Sequence, residues 1–169
     1  KNHPCICYWT IFNEGWGQFD SDNVCDIFRK LDDTRFIDST SGWFRRSNTD
    51  VDSRHVYFKP IKLAGKEKPL VLSEFGGYCY AVEDHLFNPD KAYGYKTCKT
   101  SKELQASLDE LYRARIVPAI SKGLCGAILT QVSDVEDEIN GLMTYDRKVV
   151  KMDVEKVCAI NQALINSLK

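Results

Sequence analysis

Trp9-Thr10-Ile11-Phe12-Asn13-Glu14-Gly15-Trp16-Gly17 and Leu70-Val71-Leu72-Ser73-Glu74-Phe75-Gly76-Gly77 share one plan. Each is a run of apolar and β-branched residues that reaches a glutamate and breaks at glycine. An apolar run of about four to eight residues bounded by turn signals is how a buried parallel strand reads. A carboxylate where such a strand turns into a loop sits at the C-terminal rim of the sheet. In barrels and open α/β sheets that rim is where ligands bind. One strand-end glutamate is an ordinary polar terminus. Two of them, with Asn13 before the first and Gly76-Gly77 after the second, point to a paired-carboxylate site.

Outward from these stretches the chain alternates strand and helix. Lys1-Asn2-His3-Pro4 is a polar lead-in to a first strand, Cys5 to Phe12. Ser21 to Leu31 carries Val24, Ile27, Phe28 and Leu31 at helical spacing behind an Asp20 or Ser21 cap. Arg35 to Asp38 reads as a second strand, followed by a polar loop, Ser39 to Asp52. His55 to Phe58 reads as a third strand, stopped by Pro60, and Ile61 to Lys68 as a short connection. Leu70 to Phe75 is the fourth strand. The aromatic stretch Gly76 to Cys98 is long enough to read as a functional loop. Thr100-Ser101-Lys102-Glu103 is a capping box. It opens a helix through Leu104, Leu108, Leu111, Tyr112 and Arg115, which Pro118 should kink or end. Ala127 to Val132 is the fifth strand. Asp153 caps a last helix with Val154, Val157, Ile160, Leu164, Ile165 and Leu168 on one side. Such alternation predicts an α/β fold with a parallel sheet and right-handed crossovers. No repeat or domain boundary is visible, so residues 1–169 read as one domain.

Composition narrows the function. Hydrophobic residues make up 43%, charged residues 28%, and the net charge is −1, an ordinary globular balance. Nothing in it suggests nucleic acid or a membrane surface as partner. The seven cysteines contain no CxxC pair and sit mostly in apolar runs, as small hydrophobes. They predict a reducing, cytoplasmic setting. No apolar run approaches the ~20 residues of a spanning helix. His3, His55 and His85 have no ligand-like spacing, so neither a metal nor a cofactor is expected. Asp134, Glu136, Asp137 and Glu138 lack the calcium-loop pattern and read as a solvated acidic loop. The chain opens almost directly on a strand without an initiator Met, which predicts an excerpt of a longer protein.

Two strand-end carboxylates, one acid and one nucleophile, are the pair that glycosidic hydrolysis uses. At these residues the sequence resembles a known family. Tyr8 to Asp20 is similar to the strand-4 signature of glycoside hydrolase family 2, the β-galactosidases, β-glucuronidases and β-mannosidases. Ser73-Glu74-Phe75-Gly76-Gly77 resembles the strand-7 signature. His55-Val56-Tyr57 resembles the His-x-Tyr of strand 6 in the wider clan of retaining glycosidases. Thr130 to Glu136, Asn140-Gly141-Leu142 and Thr144 to Arg147 resemble the strand-8 region. The resemblance covers nearly the whole chain.

The resemblance implies a partial TIM-type (β/α) barrel of about five parallel strands, corresponding to strands 4 to 8. It implies retaining hydrolysis of O-glycosidic bonds, galactosidase- or glucuronidase-like. Glu14 would be the acid/base and Glu74 the nucleophile, about 5–5.5 Å apart. Like charges so close push one pKa up, which keeps the acid protonated. Asn13 would bond the sugar 2-hydroxyl, Tyr57 would hold Glu74, and His55 would face the same pocket. Trp16 and Trp43 would stack on sugar faces, whereas Trp9 reads as core. The loop tyrosines either form an aglycone wall or pack the loop. Two features depart from the family. Gln131 to Asp134 holds none of the tryptophan usual after strand 8, and a whole barrel takes about 250 residues. The N-terminal domains of the full-length protein are then expected partners, as is a second copy through exposed strand edges. The isolated fragment should be weakly active or inactive. The competing reading is an inactive partial barrel that binds carbohydrate or self-associates.

Overall fold

Strands and helices alternate through most of the chain in the computed structural model, which describes residues 3–44, 46, 48–57 and 67–167. The order is β1 (Tyr8–Phe12), α1 (Ser21–Leu31), β2 (Phe36–Thr40), β3 (Asp52–Val56), β4 (Leu70–Gly76), β5 (Tyr78–Cys79) and β6 (Lys96–Thr97). There follow α2 (Ser101–Leu111), a π-helical turn (Tyr112–Ile116), α3 (Val117–Ile120), β7 (Leu124–Thr130) and α4 (Val154–Asn166). Strand β1 pairs with β2 in parallel, and β5 with β6 in parallel. A three-stranded sheet has the order β3-β4-β7. The fold is mixed α/β with parallel strands, and no closed barrel forms among the described residues.

The chain divides into two compact units. The first takes its residues from Lys1–His55, Leu63–Glu74 and Gly123–Ala127, the second from Val56–Lys62, Phe75–Lys122 and Ile128–Lys169. The divisions fall inside β3, β4 and β7.

In the first unit, β1 and β2 are in register at Trp9 with Ile37, Thr10 with Asp38, and Phe12 with Thr40. Helix α1 turns Ser21 and Cys25 inward, with Val24 and Phe28 half-buried, and leaves Ile27 and Leu31 exposed. The inward face is therefore one position off the apolar spacing. Trp9 is half-buried, and its Nε1–H donates to Asp32 at 3.1 Å. Ile37, Leu70, Leu72 and Leu124 form the apolar interior. Strand β2 runs on to Thr40, beyond the expected end at Asp38, with Asp38 and Thr40 hydrogen-bonded through their side chains. Asp38, Ser39 and Thr40 are each 1% exposed or less. Strand β3 begins at Asp52 rather than His55, so the preceding loop is shorter than its polar composition suggests.

In the second unit, Thr100 accepts the Glu103 N–H at 3.1 Å, and the Glu103 carboxylate accepts the Lys99 N–H at 2.8 Å. Leu104 and Leu108 of α2, with Tyr112, Ile116 and Ala119, form one buried stripe. Pro118 does not end the helix. Its ring would meet the carbonyl of Ala114, and Ala114 lies in the π turn that takes up the conflict. Strand β7 begins at Leu124 and ends at Thr130, earlier at both ends than the apolar run suggests. Asp153 caps α4 by accepting the Glu155 and Lys156 N–H groups, and of the helix's apolar residues Ile160 is the one fully buried.

Two expectations are corrected here. The acidic loop is not uniformly solvated. Asp134 is 3% exposed and pairs at 2.6 Å with Lys151, itself 1% exposed, because its carboxylate also accepts the Gly141 N–H and ties the loop shut. The cysteines are all free, but Cys5, Cys7, Cys125 and Cys158 are exposed, against a buried Cys25, Cys79 and Cys98. Phe58, Pro60, residues 61–66 and Leu168 lie outside the described residues.

Candidate active site

Three side chains of the first unit converge. Glu14 lies two residues past the end of β1, His55 lies in β3, and Glu74 lies in β4. One donor atom from each falls within 4.8 Å of the other two. The His55 ring is fully buried, while the two carboxylates keep about a quarter to a third of their surface. His55 Nδ1 lies 2.5 Å from Glu14 Oε1 and 3.2 Å from Glu74 Oε2. Its Nε2 lies 2.9 Å from Ser41 Oγ. The imidazole is thus wedged between two partly exposed carboxylates on one side and a buried hydroxyl on the other.

The backbone enforces this placement. Gly42 has φ +81°, and a Cβ there would overlap the His55 ring. Gly15 is equally constrained, because a Cβ would overlap the Phe44 ring. The Trp43 ring lies 6.4 Å from the imidazole, tilted by 54°. Behind His55, Asp38 is almost wholly buried. It accepts hydrogen bonds from Tyr8 at 2.8 Å and Ser53 at 2.9 Å. Burial pushes the Asp38 carboxyl up, against the hydroxyls of Tyr8, Ser53 and Ser41 and the charge of His55. Burial and the bond to Asp38 push the Tyr8 phenol up in turn.

A cavity of about 450 Å³ opens beside Glu14, lined by Gly15, Trp16, Trp43, Phe44 and Arg46. Trp16 is 95% exposed and Trp43 51%, so both rings offer faces to a ligand. Asn13 is exposed, and its carbonyl accepts from Gln18 Nε2 at 3.2 Å. Tyr57 belongs to the second unit. There it stacks on Tyr95 at 3.7 Å, and its hydroxyl lies 3.3 Å from Thr130 Oγ1. Tyr93 meets Tyr95 edge to face. These contacts pack part of the aromatic loop within its own unit.

The three converging donors include the types a metal accepts, though their present spacing is that of hydrogen bonds. Two donors each ~2.0–2.2 Å from one tetrahedral ion lie well over 3 Å apart, and Nδ1 and Oε1 are 2.5 Å apart. The arrangement serves proton transfer: a buried imidazole touches two carboxylates that reach solvent. The residues behind it, Asp38, Ser41 and Ser53, were hidden in what reads as strand end and loop. Their one sequence signal is the run Asp38-Ser39-Thr40-Ser41-Gly42, too rich in hydroxyls for an ordinary strand.

A mixed α/β fold with parallel strands thus brings one carboxylate just past β1 beside another in β4. The chain belongs to the glycosyl hydrolases family 2, TIM barrel domain, whose family model matches residues 1–157. No match is found among curated proteins. Membership of this family points to glycoside hydrolysis as the general activity.

Proposed function

We propose that this chain carries the catalytic pair of a retaining β-glycosidase, galactosidase- or glucuronidase-like, on strands 4 to 8 of its barrel. The observation behind the reading is the approach of Glu14 and Glu74, with carboxylate oxygens within 4.8 Å. Retaining enzymes hold their carboxyl groups about 5–5.5 Å apart, and inverting enzymes about 6.5–9.5 Å, to admit a water. Glu74 attacks the anomeric carbon and forms a glycosyl-enzyme, while Glu14 gives its proton to the leaving oxygen. Glu14 then takes a proton from the water that releases the sugar. Asn13 bonds the 2-hydroxyl, and Trp16 and Trp43 stack on sugar faces. The test is the stereochemistry of turnover on a panel of nitrophenyl β-glycosides, followed by proton NMR. The β-anomer should appear first; first release of the α-anomer would sink the retaining assignment.

A second reading has its own observation. No closed barrel forms among the described residues. On that reading the chain binds carbohydrate or associates with a second copy without turning substrate over. Sugar binding by calorimetry, with no turnover on the same panel, would favour it.

A further inference from the structure

Arg46 is an exposed cation lining the cavity beside Glu14, and the proposed reaction gives it no part. Its setting is built. Gln18 Nε2 donates to the carbonyls of Asn13 and Glu14, both at 3.2 Å, which leaves Gln18 Oε1 to accept from Arg46 Nη2 at 3.3 Å. The guanidinium is thereby tied to the loop that carries the acid. Among the described residues its partner is this neutral amide and no carboxylate. The rest of the lining is largely aromatic: Trp16, Trp43 and Phe44. Phe44 is held in the left-handed region, φ +52°, with Thr40 Oγ1 donating to its carbonyl at 3.3 Å and its ring lying against Gly15. Strain of that kind persists only where the surroundings over-determine it, and it clusters at ligand clamps. Glu14 lines this cavity and Glu74 does not. On the proposed roles the nucleophile faces the sugar that is retained, and the acid faces the oxygen that departs. A cavity that meets the acid alone therefore receives the leaving group. Its volume of about 450 Å³ has room for a ring and its substituents.

We infer that this cavity is the leaving-group subsite and that Arg46 makes it select a leaving group carrying a carboxylate on its ring. The aromatic walls stack on an aryl ring or on the apolar face of a sugar, and they supply area rather than a preference for charge. The guanidinium supplies that preference, because its planar fork matches a carboxylate through two parallel hydrogen bonds. Among the described residues the other charged group lining the cavity is Glu14, whose Oε1 is engaged by His55 Nδ1 at 2.5 Å. Aryl acids and uronic acids both present the required chemistry, a ring with a carboxylate. The leaving-group assignment rests on the glycosidase reading with Glu14 as acid; the carboxylate preference does not.

Calorimetry on the full chain compares 4-hydroxybenzoate with 4-hydroxybenzamide, and glucuronate with glucuronamide. In at least one pair the acid should bind about tenfold more tightly than the amide, the value of one charge-assisted hydrogen bond. The pair that shows it tells an aryl acid from a uronic acid. Arg46→Gln should remove the preference and leave binding of the amide unchanged, and Arg46→Glu should turn the preference against the acid. Equal binding of acid and amide in both pairs, or a preference that survives Arg46→Gln, overturns the inference. Turnover then places the subsite. With β-glycosides of the preferred acid and of its amide, Arg46→Gln should lower kcat/KM about tenfold for the acid alone. Breakdown of the glycosyl-enzyme, followed with a dinitrophenyl glycoside, should keep its rate in Arg46→Gln, because the leaving group has gone by then. Slower breakdown would put Arg46 on the retained sugar and overturn the inference. A chain that prefers the acid through Arg46 but cleaves no glycoside sinks the glycosidase reading and leaves the carboxylate site standing. Cleavage without any preference for the acid does the reverse.

Discussion

On the proposed roles, Glu14 as acid/base and Glu74 as nucleophile, removing each has a different signature. Glu74→Ala should abolish turnover of every glycoside, because no leaving group replaces a missing nucleophile. Glu14→Ala should cost about 10²–10⁴-fold on poor leaving groups and far less on activated aryl ones, which need little protonation. Added azide should restore activity to Glu14→Ala by attacking the glycosyl-enzyme without a base. Equal losses without azide rescue would count against these roles. Gly42 is the other sensitive position. Its φ of +81° and its contact with the His55 ring leave no room for a methyl group. Gly42→Ala should destabilise the fold by about 1–3 kcal/mol, the range for a strained backbone residue. Urea unfolding reads this directly, and a neutral result would mean that the ring yields to the added carbon.

At the scale of elements, the turn from α1 into β2 is tied by one carboxylate. Asp32 accepts from the Thr34 hydroxyl and N–H and from the Trp9 indole, and it pairs with Arg35. The Thr34 hydroxyl leads these in holding the Asp32 carboxyl well below the usual carboxylate range. A depressed folded pKa gives stability that is present above the unfolded value, ~3.9, and lost as pH falls through the folded one. The stability gap between wild type and Asp32→Asn should therefore be widest above pH ~4 and shrink in more acid solution. A gap independent of pH would show that shape, not charge, ties the turn. The loop after β7 carries a harsher test. Asp134 and Lys151 are both buried, and burial pushes the aspartate up and the lysine down against their mutual attraction. Lys151→Met leaves a buried carboxylate without its cation and should cost about 3–5 kcal/mol. Adding Asp134→Leu should recover most of that loss, as denaturant melts of the single and double variants will report.

For the whole molecule the question is whether an arrangement with no closed barrel among the described residues suffices for catalysis. Misplacing reacting atoms by ~1 Å costs about a hundredfold. Water admitted to an open site also raises the local dielectric and weakens the charge interactions that would stabilise the transition state. Strand edges left without neighbours recruit other chains. The chain alone should therefore be folded, slow and self-associating. Size-exclusion chromatography with light scattering, run beside the glycoside panel, tests this. A monomer turning over near ~10 s⁻¹, the median for enzymes, would show the chain to be a self-sufficient catalyst.

Sequence alone determined the runs that lead into Glu14 and Glu74, the helix caps at Thr100 and Asp153, and the family. These depend on local signals: an apolar run breaking at glycine, a hydroxyl three residues ahead of a carboxylate at Thr100, or an aspartate just ahead of an apolar helical run at Asp153. Other features were decided only by the tertiary structure. Ile27 and Leu31 read as core and are exposed, because the neighbours of α1 cover the face carrying Ser21 and Cys25. Asp134 reads as solvent-facing and is buried, because its cation, Lys151, is 17 residues away. The support behind Glu14 was the least legible of all. Asp38, Ser41 and Ser53 are common turn and loop types, and polarity argues for solvent unless a partner is known. Their partners, Tyr8 and His55, are 30 and 14 residues from Asp38 and Ser41. Burial of a polar group is favourable only once its hydrogen bonds are in place, and those bonds exist only when β1, β2 and β3 have come together.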